Sequence, residues 1–145
     1  MKKDNILALD IGSKRIGVAR ANKIAKIAQP LATINNDSAL IKNVKTLLDQ
    51  EEADLVVVGL PRGLDFQDTE QTQYTKRIAK KLEDAGINIT YADEALSTVE
   101  ADKKLEKQPK KDNRGLGVDA YAAAVILDNF MRDTEQKELY ANKSS

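Results

Sequence analysis

Apolar residues along the chain come in two rhythms, short unbroken runs and stripes at helical spacing. Ile6, Leu7, Ala8 and Leu9 form a continuous run within residues 5–10, which predicts a strand buried on both faces. Gly12 permits a turn, and residues 15–21 then alternate Ile16 and Val18 with smaller or polar neighbours, as a second strand does. A third run lies within residues 23–34, where Pro30 points to a sheet edge because proline cannot donate a ladder hydrogen bond. Three strands in such close succession imply antiparallel hairpins.

Downstream the period changes. Leu40, Ile41, Val44, Leu47 and Leu48 trace the stripe of an amphipathic helix that Asp37 or Ser38 can cap and that ends near Glu52. Residues 54–60 hold three successive valines and are bounded by Gly59 and Pro61, a second buried strand and a parallel partner for the first. Asp68 with Gln71 resembles a capping box, and Ile78, Ala79, Leu82 and Ala85 form the inner face of a helix that Gly86 stops. Residues 87–93 read as the last core strand. Ser97 and Glu100 form another capping box, opening a short helix to about Lys107, and Pro109 begins a basic loop. From Gly117, "GVDAYAAAVILDNFM" is apolar nearly all round, as in a helix packed deeply on a sheet. The last dozen residues are polar and are expected to fray. The order predicts an α/β fold: a mixed five-stranded sheet, three antiparallel strands then two parallel, flanked by helices.

With 145 residues, one domain over residues 1–135 with a polar tail over 136–145 is the expected organisation. A composition of 41% hydrophobic and 32% charged residues excludes disorder throughout. No apolar run reaches the roughly 18 residues of a membrane span, and the charged start lacks the apolar segment of a signal peptide, so we expect no membrane partner and a cytoplasmic protein. Cys and His are both absent, which removes disulfides, Cys nucleophiles and the commonest general base. Chemistry must use carboxylates, Lys, Arg, hydroxyls or a hard metal. Lys and Arg total 23 against 23 acids, so any attraction for nucleic acid must come from local clustering. The densest cluster is "KKLEKQPKKDNR", residues 103–114, which a solvated loop also explains.

Three carboxylates stand at element ends beside apolar runs: Asp10, Glu94 and Asp119. Singly, each has a structural explanation, as an Asx turn, an exposed loop acid and a helix N-terminal acid respectively. Jointly they suggest more, because the carboxyl ends of parallel strands share one sheet edge, where ligands bind. Asp10 and Glu94 become neighbours there, and Asp119 joins them if its helix starts at that edge. Like charges so placed call for a divalent cation, and Mg²⁺ or Mn²⁺ accepts such oxygen ligands. Two ions would support phosphodiester cleavage without His. Asp93 points to the other face of its strand and stays in reserve.

Four ordered blocks carry a resemblance: "LALDIGSKRIGVA", "VVVGLPRGLDFQDTEQTQ", "ADEALSTVEA" and "GVDAYAAAVIL". From about Asn5 to Phe130 the chain resembles the YqgF family of RNase H-like proteins, known as pre-16S rRNA nucleases and Holliday junction resolvases. The resemblance implies an RNase H-like fold and the same three acids, Asp10, Glu94 and Asp119, as metal ligands and catalytic residues. Two positions depart from the family's pattern. Ala95 stands where Arg is common, leaving Arg62 or Arg114 as replacement phosphate contacts, and Phe66 with Gln67 follows Asp65 where a Gly is usual.

Lys14, Arg15, Arg62, Lys110, Lys111 and Arg114 lie in segments that flank such an edge and are the expected nucleic-acid contacts, salt-sensitive and blind to sequence. Tyr74, Phe66 and Tyr121 show no arrangement for base stacking in the sequence, so shape recognition of structured RNA or branched DNA is expected. The leading reading is a metal-dependent endonuclease for 5′-end maturation of pre-16S rRNA, a monomer or weak homodimer that can meet ribosomal particles. The alternatives are a Holliday junction resolvase, a non-catalytic RNA-binding assembly factor, and a sugar-kinase-like ATP module. The last needs a second domain that one short domain cannot supply.

Overall fold

A computed structural model describes residues 3–95 and 116–143. Its strands are β1 (Asn5–Ile11), β2 (Arg15–Asn22), β3 (Ala28–Asn35), β4 (Ala53–Arg62) and β5 (Ile89–Ala95). Its helices are α1 (Leu40–Gln50), α2 (Glu70–Asp84) and α3 (Val118–Lys143). The sheet order is β3-β2-β1-β4-β5. β1 pairs antiparallel with β2 and β2 with β3, whereas β1–β4 and β4–β5 are parallel. This is the mixed five-stranded sheet that the apolar runs predict, and β3, with Pro30, lies at its edge.

The continuous run in β1 reflects burial on both sides. Leu7 and Leu9 join Ile16, Val18, Val44, Val56, Val58 and Leu82 under α1 and α2. Ile6 and Ala8 face the opposite layer with Ala19, Val57, Ala123 and Leu127, where α3 packs. Leu7, Leu9 and Leu127 are fully buried, each contributing about 1.5–3 kcal/mol relative to exposure. The α3 layer is built largely from alanines, so this helix sits close to the sheet.

Helix ends differ from the sequence reading in three places. α1 begins after Ala39 with no side-chain cap; Asp37 instead accepts from the Ala39 N–H at 2.9 Å, closing the turn that leads in. The capping box of α2 is Thr69 with Thr72, one residue beyond Asp68 and Gln71, because Asp68 is drawn to Arg62 and Lys76. α3 continues to Lys143 instead of fraying after residue 133, since its polar end lacks Gly and Pro and is rich in helix formers. Gly86 does end α2, with φ of 93° and the Ile87 N–H returning to the Leu82 carbonyl at 3.1 Å. The expected Ser97–Glu100 box, short helix and basic loop lie outside the described residues.

Candidate active site

Alternation along β1 fixes where Asp10 points. Ala8 lies in the α3 layer, so Asp10, two residues on, faces α3 at the carboxyl end of the central strand. Asp10 is paired across the ladder with Gly17 of β2. A Cβ at Gly17 would sit 1.8 Å from the Asp119 carbonyl oxygen, so the first turn of α3 rests on bare backbone there. No other residue type permits that approach, and it sets Asp119 beside Asp10.

Two acids are thereby held together in a half-buried position. Burial pushes the Asp10 carboxyl from its usual 3.8 up to about 6, and the Asp119 charge adds to the rise. Arg15 offsets part of that charge, its Nε donating to Asp119 Oδ2 at 3.2 Å. Its side chain is 66% exposed, which makes this a weak, solvent-screened pair.

The turn between β1 and β2 is tightly tied. Gly12 donates from its N–H to the Arg15 carbonyl at 2.9 Å, and a Cβ at Gly12 would lie 2.6 Å from that oxygen. Asn36 Nδ2 donates to the Gly12 carbonyl and to Tyr74 Oη, each at 2.8 Å. Gln71 Nε2 reaches the Ile11 carbonyl at 3.2 Å from the first turn of α2. Lys14 and Arg15 therefore leave a fixed turn into solvent next to Asp10.

Glu94 departs from the sequence expectation. By alternation with Ala92 it faces the α3 layer at the carboxyl end of β5, as Asp10 does in β1. Between it and Asp10 runs β4, and two strand spacings amount to roughly 10 Å of backbone. Glu94 lines a hollow with Asp93, Asn129, Arg132 and Asp133. Among the described residues no three acids stand close enough to grip one ion. Asp10 and Asp119 are together, and Glu94 lies on the same face two strands from Asp10.

Arg62 occupies the far side of the rim. It bonds Asp93 Oδ1 through Nε at 3.0 Å and pairs with Asp68 through Nη1, and its side chain is only 17% exposed. It joins β4, β5 and the start of α2, with both carboxylates ahead of any phosphate. Asp93, held by Arg62, also borders the hollow that Glu94 lines. Lys110, Lys111 and Arg114 lie outside the described residues.

Several site residues escape sequence reasoning. Gly17 and Gly12 read as ordinary strand and turn glycines until α3 and the Arg15 carbonyl are seen against them. Asn36, Gln71 and Tyr74 act through contacts between distant segments, for which the sequence holds no periodic signal.

The chain is similar to known proteins. Residues 4–133 match the family described as "RuvX: Holliday junction resolvase". A candidate pre-16S rRNA nuclease from Picosynechococcus sp. is 38% identical, covering 90% of this chain and 94% of that protein. One bearing the same name from Fusobacterium nucleatum is 37% identical over 86% of this chain and 94% of its own. Among solved structures, T. thermophilus RuvC in complex with Holliday junction substrate superposes with a TM-score of 0.52 at 12% identity, covering 90% of this chain and 95% of that one. The fowlpox virus Holliday junction resolvase gives 0.50 at 15% identity, covering 90% and 99%. These likenesses establish a RuvC-like, RNase H-type fold. With a family match over nearly its whole length and relatives above one-third identity, the chain belongs to the RuvX family.

Proposed function

We propose that this protein is an endonuclease that hydrolyses phosphodiester bonds in structured nucleic acid, in the cytoplasm, with Asp10, Asp119 and Glu94 as its acidic residues. The observation that carries this reading is the Asp10–Asp119 pair: two carboxylates forced together at the carboxyl rim of the sheet by the bare backbone of Gly17. A fold gains no stability from such a pair, and titratable groups perturbed by burial and a like charge mark functional sites.

The donor set fits a divalent cation, since hard carboxylate oxygens of like charge suit Mg²⁺ or Mn²⁺ and disfavour softer metals. Asp10 and Asp119 would hold the ion, with Glu94 on the same face able to hold a second. Bound there, the metal supplies charge neutralisation and Lewis acidity at the scissile phosphate. The chain's own residues do the rest. Arg15 and Lys14 offer positive charge beside Asp10, and Arg15, whose pair with Asp119 is weak and solvent-screened, could turn to a phosphate. The tied turn fixes their starting point, and the basic segment at Lys110, Lys111 and Arg114 adds backbone attraction.

The substrate that best fits the relatives' names is the 5′ region of pre-16S rRNA. The family's description favours a second reading, cleavage of four-way DNA junctions, by the same acids. Incubation of purified protein with pre-16S rRNA fragments and with DNA junctions, with and without Mg²⁺ or Mn²⁺, decides between them. Metal-dependent cleavage that Asp10→Asn abolishes is the expected result. Cleavage of neither substrate overturns the nuclease reading, and cleavage surviving in Asp10→Asn overturns the site.

A further inference from the structure

The connection from β4 to α2 exposes two large apolar side chains, Leu64 at 71% and Phe66 at 60%. The loop that carries them is not slack. The Gly63 N–H donates to the Gln67 carbonyl, the Phe66 N–H to the Gly63 carbonyl and the Asp65 N–H to Gln67 Oε1, all at 2.9 Å. The Gln67 side chain fills the space where a Cβ on Gly63 would lie. Within this frame Phe66 has φ of 58°, a left-handed conformation that an aromatic residue rarely adopts. A strained backbone that presents an exposed ring to water calls for a functional explanation.

The loop's position supplies one. It leaves the carboxyl end of β4, the parallel neighbour of β1, and so stands on the same rim as Asp10. Its base is fixed on both sides: Thr72 Oγ1 donates to the Pro61 carbonyl and Gln71 reaches the end of β1. The loop's charge is acidic. Asp65 is exposed and Asp68 is already paired with Arg62 and Lys76, so the loop does not attract a phosphate backbone. A ring and an apolar neighbour with no cation suit the face of a nucleobase, which stacks on an aromatic surface whatever its identity.

We propose that Phe66, flanked by Leu64, is a stacking platform for an unpaired or helix-terminal nucleobase beside the scissile phosphate. This rests on the nuclease reading and refines it: the platform selects substrates with a base free to stack, such as a branch point or the end of a stem, over uninterrupted duplex.

The test uses the full-length protein without metal, four-way DNA junctions and RNA hairpins carrying 2-aminopurine at the branch point or loop, and an uninterrupted duplex. Wild type and Phe66→Trp should change the probe's fluorescence on binding. Phe66→Ala, Phe66→Leu and Phe66→Gly should lose that change and bind the branched substrates roughly 5- to 100-fold more weakly, the loss that removal of one base–aromatic stack gives. Duplex binding should not move. Phe66→Gly separates platform from scaffold, because glycine takes φ near +58° without strain and keeps the loop intact. Unchanged affinity and fluorescence in Phe66→Gly, with a wild type that cleaves once Mg²⁺ is added, overturn the platform and leave the nuclease reading standing. Weakened binding that tracks only a lowered unfolding temperature also overturns it. A wild type that neither binds these substrates nor cleaves them once Mg²⁺ is added overturns both.

Discussion

On the β4–β5 side of the sheet's carboxyl rim, Arg62 sits between Asp93 and Asp68, and Lys76 Nζ adds a second cation 3.3 Å from Asp68. On the β1–α3 side, Asp10 and Asp119 are brought together with Arg15 bonded to Asp119 from the solvent edge. The Arg62 group and the Asp10 group each hold two acids, with Glu94 beside the first, and both are built on strand ends. The first matches charge with charge and links three elements. The second keeps like charges close and raises the proton affinity of one, which is how a fold leaves a site for something that binds later. Unresolved repulsion at a strand end, more than acidity as such, separates candidate chemistry from scaffold.

Gly17 is where a single substitution should do most damage. Gly17→Ala puts a methyl where the Asp119 carbonyl lies, so α3 must shift, and we expect a loss of about 3 kcal/mol in chemical denaturation together with cleavage activity. A substitution tolerated there would mean that close helix approach does not set the pair.

A smaller effect follows from the raised Asp10 carboxyl. The folded state holds its proton up to about pH 6, whereas the unfolded chain releases it near 3.8. Between those values the folded state binds more protons, so metal-free stability falls as pH rises through the window and is level above it. The drop should be about 2 kcal/mol after allowance for water around the half-buried group. Urea titrations of wild type and Asp10→Asn from pH 4 to 7.5 should differ by that step, and parallel curves would mean that neither burial nor Asp119 raises the Asp10 carboxyl.

On the matched side, Arg62→Ala should cost about 1–2 kcal/mol, since it leaves Asp93 without its cation and Asp68 with Lys76 alone. Its rate of cleavage at saturating substrate should stay near wild type. The smallest effect belongs to Arg15→Ala, which should leave stability within about 0.5 kcal/mol. Its signature is in binding: the salt dependence of affinity should flatten by roughly 0.7 to 0.9 in log–log slope, the share of one phosphate contact.

Much of this arrangement is legible in the sequence, for reasons tied to particular residues. Continuous runs at Ile6–Leu9 and Val56–Val58 announce strands covered on both faces, and the stripe from Leu40 to Leu48 announces α1. Asp10 and Asp119 are conspicuous as acids ending or opening apolar stretches. The rest depends on tertiary contacts. Gly17 matters because a helix from the far end of the chain lands on it. Glu94 lies two strands from Asp10 because β4 inserts between β1 and β5, a consequence of strand order that the motif does not carry. The cap of α2 slides from Asp68 to Thr69 because Arg62 claims the Asp68 carboxylate. Phe66 reads as a loop residue until its backbone and exposure are known.

A divalent cation would discharge the Asp10–Asp119 pair. Calorimetric titration of Mn²⁺ into metal-free wild type and into Asp10→Asn, at pH 5.5 and 7.5, tests it without any substrate. Wild type should bind with release of a proton at pH 5.5 and almost none at 7.5, and Asp10→Asn should bind at least about 10-fold more weakly with no such proton. Equal Mn²⁺ affinity in the two proteins, or proton release that survives the substitution, would contradict the account.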